Sequence, residues 1–222
     1  MELTKSITIN TLAQILGKVI VLILGILTTI ILRRYLGRSS YGDYVFVISL
    51  ATMFTTLADF GSHLIAVREA SQNKGKQGQI IGNVIILRFF FSLLAISLMF
   101  VLIRTPVFVK NLIQQKQNLI LSLVFSCLII LSLSFKNSLV IIFHTKLKLF
   151  YFPLMNSFAA VLLLIGTIIL VLTNTAKEPS FFVLNLGLAN FLAVLFFLLP
   201  AFKLMAVRFN LSKKIIKRII LQ

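Results

Sequence analysis

The sequence predicts an all-α integral membrane protein with six transmembrane helices. Three observations carry that prediction. Hydrophobic residues make up 59% of the 222 and charged residues only 12%, with a mean hydropathy of +1.05. A water-soluble domain of this size needs about twice that share of charge to cover its surface. Six apolar runs of 21 to 26 residues follow one another along the chain, and each meets the ~20 residues a helix needs to cross a ~30 Å hydrocarbon core. The segments between them are short and polar, as in SQNKGKQGQ (71–79) and TNTAKEPS (173–180).

The first run, 11–32, is too long for the core of a signal peptide and lacks a small-residue cleavage site, so it reads as a retained span. The stretch RRYLGRSSYGDYVF (33–46) follows, with Gly37 and Gly42 marking a tight connector. The remaining spans are 44–67, 80–103, 118–143, 152–172 and 181–202, with Pro153 and Pro200 near span ends, where helices tolerate them. Residues 1–202 therefore form one six-helix transmembrane unit, and 203–222 form a basic tail. In that tail Ile215, Ile216, Ile219 and Ile220 fall opposite Lys213, Lys214, Lys217 and Arg218. Such a helix suits an anionic cytoplasmic membrane surface.

The net charge is +17. In a soluble protein that balance points to nucleic acid. Here the bases cluster at span ends, where snorkelling, lipid headgroups and the positive-inside bias account for them, so the expected partner is membrane lipid and not nucleic acid. Thirteen lysines and arginines fall on the side of the N-terminus and seven on the other, which places both termini in the cytoplasm. Arg33, Arg34 and Arg38 then lie on the outer face, against the trend. They either anchor to outer-leaflet headgroups or attract an anionic ligand. Cys127 is the single cysteine, so no intrachain disulfide forms.

Ionisable groups inside a span cost ~2.5–3.5 kcal/mol on insertion scales and usually face a bundle interior or a wet cavity. Lys18 lies ~10 Å and Arg88 ~12 Å into their spans, and Lys136 lies nearer the far end of its own. Lys18 shares a helical face with Asn10, Gln14, Gly25 and Thr29. Ser49, Thr52, Thr56, Asp59 and His63 form a continuous polar stripe on the second span, and both faces are expected to point inward. Pro153, Asn156, Ala160 and Thr167 form a similar face on the fifth span. The plain alternatives are helix-packing contacts for the Ser and Thr residues, snorkelling for the bases and a His63–Asp59 hydrogen bond one turn apart. Asp59 is the only carboxylate well inside a span, which marks it and His63 as candidates for ion or proton coupling. With Lys18, Arg88 and Lys136 as candidate cavity bases, the interior favours anions, phosphate above all.

Catalysis has little support. The two histidines, His63 and His144, and the five acids are scattered, and no metal-ligand spacing, nucleotide loop or nucleophile elbow occurs. The sequence implies a non-enzyme with no cofactor and no metal.

The segment 33–69 resembles the start of bacterial polysaccharide flippases of the Wzx type, within the multidrug/oligosaccharidyl-lipid/polysaccharide exporter superfamily. The resemblance rests on Tyr35-Leu36-Gly37, Tyr41-Gly42, Asp59-Phe60-Gly61 and Val67-Arg68-Glu69, supported by ILRFFFSLL (86–94) with its Arg88. It implies a MATE-like N-terminal lobe in the bacterial cytoplasmic membrane. It also implies translocation of an undecaprenyl-pyrophosphate-linked oligosaccharide, an anionic partner for Lys18 and Arg88, and an ion gradient as driving force. Flippases of this kind have a second six-helix lobe, so the resemblance further implies a truncated half or a chain that works as a homodimer. A MATE-type multidrug antiporter and a non-transporting membrane subunit or remnant are the competing readings.

Overall fold

The computed structural model describes residues 2–59, 61–105, 118–174 and 178–207. The described residues are all-helical, with no strand. We label the α-helices α1 (Glu2–Asp59), α2 (Ser62–Gln72), α3 (Gln77–Ile103), α4 (Asn118–Thr145), α5 (Tyr151–Leu172) and α6 (Pro179–Leu204). A single 3₁₀ turn, Lys74–Lys76, joins α2 to α3. Among the described residues five helical stretches are long and apolar enough to cross a membrane, the first passing through α1 into α2.

α1 is two helical segments joined at Gly37, whose φ of 75° and ψ of 177° interrupt the helix. A side chain disfavours that left-handed φ, whereas glycine adopts it freely. The connector expected over 33–46 thus shrinks to one residue with helix on either side. The two segments run in opposite directions. Gly17 packs on Pro153 at the start of α5, whereas the Tyr35 ring lies 5.9 Å from that of Phe182 at the start of α6. From there the second segment returns to the end of the bundle where α3 and α5 begin.

A second break falls inside the run expected to be one span over 44–67. α1 ends at Asp59, and α2 begins at Ser62 after Gly61, whose φ is 64°. The later runs are housed in α3, α4, α5 and α6. The tail helix expected over 210–222 lies outside the described residues.

Packing divides the interior into two cores. One, at the α2 end, joins Ala66, Ile81, Ile141, Phe143, Met155 and Phe197. The other, at the Gly37 end, joins Leu36, Val47, Phe54, Met99, Leu123 and Phe182. α4 runs through both, packing most extensively on α6 and also against α1, α2 and α3. Small residues set the closest approaches: a Cβ at Gly17 would collide with Pro153, and one at Gly166 with Asn185. Asn185 uses that closeness to donate to the Leu163 carbonyl at 3.1 Å and to the Thr167 hydroxyl at 3.3 Å. Small side chains let helices approach in this way where water supplies no driving force between them.

Candidate functional site

The break between α1 and α2 gathers the chemistry. Ser62, in the first turn of α2, donates to the Asp59 carbonyl at 2.8 Å and accepts from Arg88 Nε at 3.1 Å. Arg88, on α3, is 1% exposed, and its Nη2 lies 3.8 Å from Asp59 Oδ1. Asn137, on α4, donates to Asp59 Oδ2 at 2.6 Å. Two helices, α3 and α4, therefore converge on the Asp59 carboxylate, while α2 holds its backbone carbonyl.

The pair is loose. Asp59 Oδ1 and both terminal nitrogens of Arg88 are buried without a hydrogen bond to the described residues. Burial of an ion pair is tolerated when hydrogen bonds meet its remaining lone pairs and protons. Here Ser62 and Asn137 meet only part of that need. A shift of under an ångström would turn the 3.8 Å contact into a hydrogen bond.

His63, one residue after Ser62, turns away from Asp59. Its Nε2 lies 3.2 Å from Nδ1 of His144 on α4, with the two rings edge to face at 5.2 Å. His144 in turn meets Phe152 on α5, ring to ring at 6.1 Å. The one-turn His63–Asp59 bond is thus replaced by a contact between helices.

Phe152 also lines a cleft between α1 and α5. That cleft has a volume of about 330 Å³, with Val21, Leu22 and Pro153 as apolar wall and Gln14, Lys18 and Asn156 as polar groups. Lys18 is exposed there. The same helix face continues outward through Gly25 and Thr29, both exposed, and Ser49, Thr52 and Thr56 on the second segment are exposed as well. These faces were expected to turn inward. Instead they lie on the outside of this bundle, because the apolar residues between them supply its core.

Lys136 is 8% exposed and donates to Asn190 Oδ1 at 3.0 Å. The amide of Asn190 is fixed by its own bond to the Leu186 carbonyl, 2.9 Å long. Lys136 is therefore held between α4 and α6. Arg33, Arg34 and Arg38 are exposed around Gly37, at the opposite end of the bundle from Asp59.

The structure thus brings together Asp59 and Arg88, places His63 beside them and gives Lys18, Lys136 and the three arginines separate locations. Ser62, Asn137, His144 and Asn190 were not singled out as partners by the sequence. Asn137 and His144 were findable: seven residues apart, they share one face of α4. Among the described residues no group of three His, Cys, Asp or Glu side chains is placed to hold a metal ion.

The sequence matches the polysaccharide biosynthesis protein family over residues 5–221. The chain belongs to that family. The match takes in every residue of the Asp59–Arg88 centre and the Lys18 cleft. Searches of curated proteins and of solved structures found no significant match. Family membership and the membrane-spanning helices together make this polysaccharide biosynthesis protein a membrane protein.

Proposed function

We propose that this protein translocates an undecaprenyl-pyrophosphate-linked oligosaccharide across the bacterial cytoplasmic membrane. It does so in six crossings with both termini in the cytoplasm, the reversal at Gly37 making two crossings of α1. The observation that carries the reading is the Lys18 cleft, which sets one cation and two amides beside an apolar wall. A lipid-linked pyrophosphate has the matching shape of chemistry, an anionic head on a long apolar tail. Lys acts on such a head as a point charge. The exposed polar faces of α1 extend the same wet surface along the bundle, where a second lobe or a second copy closes it into a cavity.

Asp59 and Arg88 supply the coupling. Arg88 is not offered to the cleft as a cavity base. It is held by Ser62 and Asp59, so the charge state of Asp59 decides whether the guanidinium has a counter-ion. His63, His144 and Phe152 form a row of side-chain contacts that begins one residue after Ser62 and ends at the cleft wall. The reading requires that this row take two discrete arrangements, since contact alone does not make coupling.

The test compares Lys18→Gln with Lys18→Arg in vesicles reconstituted with the full chain, following translocation of a labelled lipid-linked oligosaccharide. Loss of one charge-assisted contact of ~1.5–3 kcal/mol predicts about a tenfold to hundredfold loss in the glutamine variant. The arginine variant is expected to keep most of the activity. Unchanged translocation with glutamine would remove the cleft from the path.

A further inference from the structure

We infer that the protein has a second anion site, for a phosphate group, in a basic pocket at the α3 end of the bundle. The pocket has a volume of about 310 Å³ and is walled by the Lys74–Lys76 turn, the first residues of α3, Lys146 after α4 and residues 204–206 at the end of α6. Three lysines, Lys74, Lys76 and Lys146, line it, and no acid does. The inference does not depend on the transport reading, because the pocket shares no residue with the Lys18 cleft.

The lysines come from two distant parts of the chain. Lys146 is half-buried, and its Nζ donates to Gln77 Oε1 at 2.8 Å. That bond uses one of three ammonium protons and points the head into the pocket's wall. Lys74 and Lys76 are fixed in backbone by the 3₁₀ turn, with the Lys76 N–H bonded to the Asn73 carbonyl at 2.9 Å. Asn73 also engages the Glu69 carboxylate, donating to its Oε2 at 3.3 Å. At the end of α6 the wall is Leu204, Met205 and Ala206, whose side chains are apolar. Three cations lining one small concave site without an acid favour a compact, multiply charged oxyanion. Phosphate fits, whether on the headgroup of an anionic lipid or free as phosphate or pyrophosphate.

The experiment uses the purified full chain in neutral detergent. Native mass spectrometry counts bound phosphatidylglycerol against phosphatidylcholine. In parallel, unfolding is followed by a thiol-reactive dye on the single cysteine, Cys127, with added inorganic pyrophosphate. Lys74→Gln/Lys76→Gln and Lys146→Gln are compared with the corresponding arginine variants. The proposal expects binding about tenfold weaker in the glutamine variants and retained in the arginine ones. Lysine-dependent retention of phosphatidylglycerol alone identifies a lipid headgroup as the source, and lysine-dependent stabilisation by pyrophosphate identifies a free phosphate. If neither probe distinguishes glutamine from wild type while the arginine variants remain folded, the site is not there.

Discussion

Asp59 and Arg88 are 29 positions apart and on different helices, yet among the described residues they form an ion pair at the α1–α2 break. Removing one partner of a buried pair leaves an uncompensated charge, which costs ~3–5 kcal/mol, whereas removing both is far milder. Asp59→Ala and Arg88→Ala are each expected to destabilise the folded protein by about that amount. The double variant should lose much less than the sum. A double-mutant cycle read by unfolding in detergent checks this, and strict additivity would mean that the 3.8 Å contact carries no energy. The sequence marked both residues as improbable in a membrane, from the cost of a charge there. Their pairing was not legible, because a helical face says which residues share a side of one helix and nothing about which helix meets it. For the same reason the one-turn contact with Asp59 is the alternative the sequence offers for His63, whereas its partner is His144, 81 positions away.

At the scale of elements, all-helical membrane character was legible from hydropathy alone, since a bilayer leaves a chain so apolar only helices or a closed barrel. The break at Gly61 was not. Hydropathy is continuous over 44–67, and a lone glycine inside a helical pattern is ordinarily tolerated. What decides is its φ of 64°. Among the described residues, chain neighbours aside, no atom lies within 4 Å of where a Cβ would stand on Gly61, so substitution there tests backbone conformation. Gly61→Ala is expected to cost ~1–2 kcal/mol and Gly61→Asn less, because asparagine visits the left-handed region more readily. Thermal unfolding of the two variants measures the difference. Gly166 makes the contrasting case. A side chain there meets Asn185, so Gly166→Leu should separate α5 from α6 and break the bonds from Asn185 to Leu163 and Thr167. Crosslinking between cysteines placed on those two helices should fall.

The molecule as a whole wears its polar stripe on the outside. Amphipathic periodicity in α1 found the stripe correctly as a face, but a face buried against a neighbouring helix and one turned toward a second unit have the same period in sequence. Exposure separates them: Thr52 and Thr56 are exposed, and so are their neighbours Met53 and Leu57, each turned about 100° around the same helix. If the stripe borders a wet cavity and the neighbours border lipid, their chemistry must differ in the membrane. Single cysteines at the four positions, in a Cys127→Ser background, make this measurable, because a thiol must ionise in water to react with a maleimide. Thr52→Cys and Thr56→Cys are expected to react quickly with a membrane-impermeant maleimide in native membranes, and Met53→Cys and Leu57→Cys slowly. Equal, slow reaction at all four would place the stripe in lipid or in a dry helix contact and withdraw the cavity. The same cysteines also report what closes that cavity. A disulfide between two copies through Thr52→Cys or Thr56→Cys brings a second copy of this chain onto the stripe. Fast maleimide reaction without such a bond leaves the wet face to another lobe.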